Sequence, residues 1–216
     1  MRPHTNTYQI QAFSLLELLA VISVIILISA IAVPAFNGMS EGVHLDSGAQ
    51  LIRTQLNLAR QTAMLRNYPV EVRFYLLGTE SRPNQLEFRA IQLWKVLSEE
   101  ATVSNNQGSA TEKHLPIDRK HYLPGQAVIG GNQNGAEFSP SLTGASIHSG
   151  TESDSGQSIP YHSFRFRSNG STDLDAGSDQ FLTLWLERDA VASVPPANFA
   201  SVVIDPINGR TRILRP

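Results

Sequence analysis

The stretch that decides the fold is Phe13-Ser-Leu-Leu-Glu17-Leu-Leu-Ala-Val-Ile-Ser-Val-Ile-Ile-Leu-Ile-Ser-Ala-Ile-Ala-Val33-Pro34. From Leu18 to Val33 only Ser23 and Ser29 are polar. A bilayer core of roughly 30 Å needs about 20 apolar residues in a helix. Residues 13–36 supply that span with one ionisable side chain, Glu17. Arg2 precedes the span, and no Lys or Arg follows it until Arg53. The positive-inside rule then places the N-terminus in the cytoplasm and the bulk of the chain on the other side.

Glu17 is the informative residue of this segment. A carboxylate in a membrane helix is costly, about 2.5–3.5 kcal/mol on insertion scales, so it has a partner or a task. If the chain is cut before Phe13, the new α-amino group lies one helical turn from Glu17. The amine of a neighbouring subunit then has a buried carboxylate to neutralise. The alternative is a glutamate held at the level of the lipid headgroups. A second reading of the whole segment is an ordinary secretory signal peptide. Leu18 to Ile28 has the length of its apolar region, and Ala30-Ile31-Ala32 resembles its cleavage site. Glu17 abutting the apolar run, and the long polar stretch after Arg2, speak against it.

Ala12-Phe13-Ser14-Leu15-Leu16-Glu17 resembles the prepilin peptidase site of type IV pilin-like proteins. That site has a small residue, then Phe, then Glu at the fifth mature position. Pro34 falls where such pilins commonly carry proline. Family members usually have Gly before the cut, where this chain has Ala12. The resemblance implies cleavage between Ala12 and Phe13, N-methylation of Phe13, and assembly through Glu17 and Pro34. It implies prepilin peptidase, other pilins or pseudopilins and the inner membrane as partners. The location implied is a bacterial inner membrane crossed once, with the C-terminal part periplasmic or in an extracellular filament.

Beyond Pro34 the helical pattern continues. Leu45, Ala49, Ile52, Leu56, Ala59 and Ala63 recur at spacings of four and three, which is one face of an amphipathic helix. Pro34, Gly38, Gly42 and Gly48 break or soften that helix, and Asn67-Tyr68-Pro69 ends it. After Pro69 the period is two. Val70, Val72, Phe74 and Leu76 alternate with Glu71, Arg73 and Tyr75, a half-buried strand. Strands follow at residues 85–97, near Ile129, and at 161–167, 180–187, 200–204 and 210–214. Residues 98–112 read as a polar loop. Residues 130–160, rich in Ser, Gly and Asn, read as a long surface excursion. The expected fold is α+β: a long N-terminal helix packed on an antiparallel β-sheet domain. The organisation is a leader at 1–12, a transmembrane helix at 13–36, its amphipathic continuation at 37–67 and a β-rich domain at 68–216.

Phe164-Arg-Phe-Arg-Ser-Asn-Gly-Ser171 and Asp205-Pro-Ile-Asn-Gly-Arg-Thr-Arg212 resemble a strand, a turn and the C-terminal hairpin of the pseudopilin H and FimT-like group. Gln55 to Ala63 and Val70 to Tyr75 are similar to the cassette protein D branch of the Verru-Chthon type. The implied function is a structural subunit, a minor pilin or pseudopilin, of a type IV pilus or type II secretion-like filament.

Residue types outside the helix exclude several chemistries. The 216 residues include no cysteine, hence no disulfide, thiolate metal site or cysteine nucleophile. Neither a nucleotide-binding glycine loop, an H-x-x-x-H pair nor a G-x-S-x-G elbow is present. An enzyme is not expected, and no cofactor is implied. Asp173, Asp175 and Asp179 are candidate calcium ligands in one loop, against the reading of a solvated turn. The net charge of −2 carries no polyanion signature. Locally, Gly209-Arg210-Thr211-Arg212 matches the Gly-Arg-x-Arg motif of DNA-capturing minor pilins, so Arg210 and Arg212 are candidate DNA-binding residues. Arg165, Arg167 and Arg215 are candidates to extend their patch. The alternative is that these arginines pair with Asp205 or Glu187, or stay solvated.

Overall fold

The computed structural model describes residues 14–78, 86–98, 112–133, 136–137, 139–144, 147–154, 156–189 and 196–215; within the helix, the side chains of 31–41 are outside that description. The chain divides into two compact units, 1–41 and 42–216. One helix, α1 (Leu15–Arg66), passes through the division.

In the first unit α1 is preceded by Ser14. Its hydroxyl accepts the Glu17 N–H at 3.1 Å, and Glu17 stands in the first turn. That is the N-cap half of a capping box, with the carboxylate at the positive end of the helix dipole. Large apolar side chains then face outward on every side, from Leu15 at 83% exposure to Ile28 at 61%. Among the described residues no helix is long and apolar enough to cross a membrane. The helix continues through Pro34, Gly38, Gly42 and Gly48. Of the break or softening expected there, no break occurs. Gly48 instead gives a close approach, since an added Cβ would stand 3.3 Å from Leu184.

In the second unit, Leu45, Ala49, Ile52, Leu56, Ala59 and Ala63 are all fully buried. Asn67 ends the helix in the left-handed region, at φ 52, a conformation Asn tolerates better than most residues. The strands are β1 (Val70–Leu77), β2 (Glu87–Ser98), β3 (Glu112–Pro116), β4 (His121–Tyr122), β5 (Ala127–Ile129), β6 (Asn132–Gln133) and β7 (Ala136–Glu137). After the short helix α2 (Pro140–Thr143) come β8 (His148–Asp154), β9 (Gln157–Phe166), β10 (Gln180–Leu186), β11 (Ala200–Ile204) and β12 (Thr211–Leu214).

The main sheet has the order β12-β11-β10-β5-β2-β1-β9-β8, with β3 and β4 also paired to β2. Its pairings are antiparallel. Strands β6 and β7 pair separately. Val70, Val72 and Phe74 join the helix stripe, Phe164, Phe166, Leu184 and Val202 in one apolar core. Phe74 and Phe164 stack with centroids 6.0 Å apart.

Two sequence expectations are corrected here. The β1 strand is buried on both faces: Glu71 is 1% exposed, Arg73 5% and Tyr75 0%. Residues 130–160, expected as a long surface excursion, carry regular structure among the described residues. They contain β8, which pairs along its whole length with β9, and the buried Ser139, Ser141 and Leu142. Strand β3 also begins at Glu112, at the edge of the expected polar loop; residues 99–111 lie outside the described residues.

Candidate functional site

The residues expected to govern processing, Ala12 and Phe13, lie outside the described residues. Glu17 is exposed on the first turn of α1. Pro34 lies within α1, its side chain outside the described residues.

Arg210 and Arg212 sit on the last hairpin, whose turn is sealed by its own polar groups. The Gly209 N–H donates to the Asp205 carbonyl at 2.7 Å, and Gly209 has φ 65. The Asp205 carboxylate accepts the N–H groups of Ile207 and Asn208 at 3.0 and 3.3 Å, and the Asn208 amide at 2.6 Å. Asn208 Oδ1 accepts the Arg210 N–H at 2.8 Å. Asp205 is therefore engaged in shaping the turn, and Glu187 pairs with Arg89 at 2.9 Å. Neither of the two pairings open to Arg210 and Arg212 forms. Both are exposed, and among the described residues neither makes an ion pair. They line one groove of about 720 Å³ with Ser178, Asp179, Gln180 and Pro206.

The helix fixes this hairpin. Arg60 Nε donates to the Asn208 carbonyl at 2.7 Å, and Thr211 Oγ1 donates to Asn57 Oδ1 at 3.2 Å. Arg215 does not extend the patch. Its guanidinium reaches the Gly42 carbonyl at 3.4 Å and pairs with Asp46. Arg165 and Arg167 line a different cleft, with Pro69, His148 and Asp173.

The three candidate calcium aspartates serve separate ends. Asp173 accepts the Arg165 N–H at 2.7 Å through Oδ1 and meets His148 Nε2 at 3.0 Å through Oδ2. Asp175 accepts the Gly177 N–H and the Ser178 hydroxyl at 3.0 and 2.9 Å. Those two bonds, the Gly177 one foremost, hold its carboxyl below the usual range. Asp179 lines the arginine groove. Among the described residues no group of three His, Asp or Glu side chains is placed to hold a metal.

Sequence reasoning missed a polar layer on the face of the sheet opposite the apolar core. The Glu71 carboxylate is gripped by Arg73 at 3.1 and 3.3 Å, by the Ser163 hydroxyl at 2.7 Å and by His114 Nδ1 at 2.6 Å. Burial alone pushes the Glu71 carboxyl up. The bonds from Arg73 and Ser163 and the nearby positive charges more than offset it and hold the group below its usual value. The Arg73 guanidinium lies between the rings of Trp94 and Tyr161, 4.2 and 4.3 Å from their centroids. It also approaches Glu152 of β8 at 3.7 Å. The Tyr75 hydroxyl donates to Glu152, and Lys120 lies 4.1 Å over the Tyr75 ring. Burial, with the Glu152 carboxylate beside it, raises the Tyr75 phenol well above its ordinary value. Lys120 also binds Asp154 at 3.0 Å. This layer ties β1, β3, β8 and β9 together by charge. The one signal in the sequence was the company these charges keep: Trp94 and Tyr161 also stand on polar-face positions of their strands.

No family model matches the chain, and no curated protein matches it. Among solved structures, pilin-type subunits are similar to it. One is the minor pseudopilin EpsH from the Type 2 Secretion System of Vibrio cholerae, at 11% identity and TM-score 0.38, covering 80% of this chain and 98% of that one. Another is the type IV minor pilin FimU of Pseudomonas aeruginosa, at 12% identity and TM-score 0.43, covering 82% of this chain and 96% of that one. Likeness of that degree fixes no function by itself.

Proposed function

We propose that this chain is a structural subunit of pilin type, a minor pilin or pseudopilin, anchored in a bacterial inner membrane and assembled through α1. The observation that carries the reading is the divided character of that helix. Its part from Leu45 to Ala63 buries an apolar stripe within the β-rich unit, while the part from Leu15 to Ile28 is exposed and apolar on all sides. Apolar surface left in water costs about 25 cal/mol per Å², so a helix of this kind is covered by lipid or by other helices. Cleavage between Ala12 and Phe13 and methylation of the Phe13 amine complete the reading. The β-rich unit then lies in the periplasm.

Mass analysis of the mature N-terminus in the native host tests it. A chain beginning with N-methylated Phe13 and recovered in the membrane fraction is expected. A soluble mature chain beginning at Val33 overturns it in favour of signal peptidase.

A second reading adds DNA capture at the terminal hairpin. It is favoured by Arg210 and Arg212 sharing one groove with no ion pair among the described residues. Binding there would release counterions from phosphates and weaken steeply with salt. Fluorescence anisotropy of a labelled DNA duplex at low salt, with wild type and the Arg210→Ala, Arg212→Ala double variant, decides it. Equal binding by the two, or none by wild type, removes this reading.

A further inference from the structure

We propose that Lys120 and Asp154 form an intramolecular amide bond, with Glu152 as the proton carrier, that fastens the edge strand β8 to the segment joining β3 and β4. Lys120 Nζ lies 3.0 Å from Asp154 Oδ2 and 3.8 Å from Glu152 Oε1. Both acids belong to β8, which ends the main sheet and has no large apolar side chain between His148 and Asp154. The chain has no cysteine, so no disulfide can secure that edge.

The strand and the aromatic layer bring the three groups together. Glu152 and Asp154 are two positions apart on an extended strand, so their side chains leave on one face. Lys120 stands just before β4, and its Nζ passes 4.1 Å over the Tyr75 ring of β1 to reach them. The Lys120 side chain is 10% exposed and that of Glu152 19%, so the amine and the carboxylate beside it stand largely out of water. One oxygen of Glu152 is held in place: Oε2 accepts the Tyr75 hydroxyl and faces Arg73 at 3.7 Å. Burial and the Glu152 carboxylate keep the Tyr75 phenol protonated, so it remains a donor. Oε1 is thereby turned toward the lysine. The Asp154 side chain is 46% exposed, which gives a departing water a way out.

Reacting groups held at contact distance gain the high effective concentration of an intramolecular reaction. An ammonium is no nucleophile, so the step needs a base beside it. Glu152 Oε1 takes one proton from Nζ, and the freed electron pair attacks Cγ of Asp154, forming the C–N bond. A second proton leaves the nitrogen. Both protons pass to the departing Asp154 oxygen as its C–O bond breaks. One ammonium and one carboxylate thus give one amide and one water. No charge, electron or co-reactant is left over, and Glu152 returns to its starting state. The bond closes a loop from Lys120 to Asp154 and, like other cross-links, restricts the unfolded chain.

Trypsin reads the bond directly, because no Lys or Arg lies between Lys120 and Arg165. The full chain is purified in detergent micelles, denatured and digested, and its peptides are measured by tandem mass spectrometry. An unlinked lysine is cut, which releases residues 121–165 at full mass. The amide blocks that cut, so the linked chain gives residues 120–165, one water lighter than their sequence. A succinimide at Asp154 also loses water but leaves the cut after Lys120 intact. We expect the linked peptide from wild type and none from Lys120→Arg or Asp154→Ala. Glu152→Gln is expected to lower the linked fraction about tenfold or more. The inference falls if wild type gives residues 121–165 at full mass, which leaves an ion pair only. It falls equally if the water loss persists with Lys120 uncut in Asp154→Ala, or if Glu152→Gln links as fully as wild type.

Discussion

The Nε of Arg60 donates a 2.7 Å hydrogen bond to the main-chain carbonyl of Asn208, so the helix holds the tip of the last hairpin directly. The two residues are 148 positions apart in the chain. Replacing Arg60 by Ala removes a charged donor and the stem that packs beside Gly170 and Gly209. A loss of about 1–2 kcal/mol is expected, read from the denaturant midpoint by tryptophan fluorescence. An unchanged midpoint would show that the hairpin holds its place without the helix.

Gly209 is predicted to be the least replaceable turn residue. It has φ 65, and a Cβ there would stand 2.3 Å from the Gly170 carbonyl oxygen and 2.9 Å from the Phe166 ring. Gly209→Ala should cost about 2–4 kcal/mol, the left-handed strain and the clash together. Gly156 makes the control. Its φ is 84, but nothing lies within 4 Å of a new Cβ, so Gly156→Ala should cost only about 1–2 kcal/mol. Equal costs would mean that backbone strain alone matters at Gly209.

Glu71 predicts an acid limit to stability. Its carboxyl is held below the unfolded value of 4.5. A group with a depressed folded value adds stability that is complete above the unfolded value and disappears as pH falls through the folded one. Unfolding free energy should therefore drop below about pH 4.5, in part through Glu71. Glu71→Gln should cost about 3 kcal/mol at pH 7, because Arg73 loses its closest partner while buried. The same variant should lose less stability than wild type as pH falls below about 4.5, because it lacks the carboxyl whose folded value is depressed. A variant with the full wild-type acid slope would sink the assignment.

Glu17 separates charge from capping. On the proposed function, Glu17→Ala inserts into membrane as wild type does, since it makes the segment more apolar, but fails to enter a filament with its partner pilins. Glu17→Gln removes the charge at the same length. Assembly restored by Gln would assign Glu17 to the helix start beside Ser14, whereas failure of both variants assigns it to a partner's amine. Cross-linking of assembled subunits in the host supplies the readout.

Much of the fold was legible because it rests on periodicity. The six residues Leu45, Ala49, Ile52, Leu56, Ala59 and Ala63, read from spacings of four and three, are the buried stripe of α1. The alternation from Val70 marks β1, and Asn208-Gly209 marks the last turn. Strand β8, His148-Ser-Gly-Thr-Glu-Ser-Asp154, was not legible. It is the sheet's edge and carries almost no apolar side chains, so its order comes from main-chain pairing with β9 rather than from a pattern.

The sequence by itself determined the class of architecture and the place of the candidate residues along the chain, because local spacing dictates which side chains share a face. Only the tertiary structure decided which faces are covered and which charges meet. A period of two says that Glu71, Arg73 and Tyr75 point away from Val70, Val72 and Phe74. It cannot say that Trp94, Ser163, His114 and Glu152 arrive from other strands to bury them. Nor could it divide the arginines, sending Arg210 and Arg212 to one groove, Arg165 and Arg167 to another and Arg215 to Asp46. Such meetings depend on contacts between residues far apart in the chain, and local patterning carries no information about those.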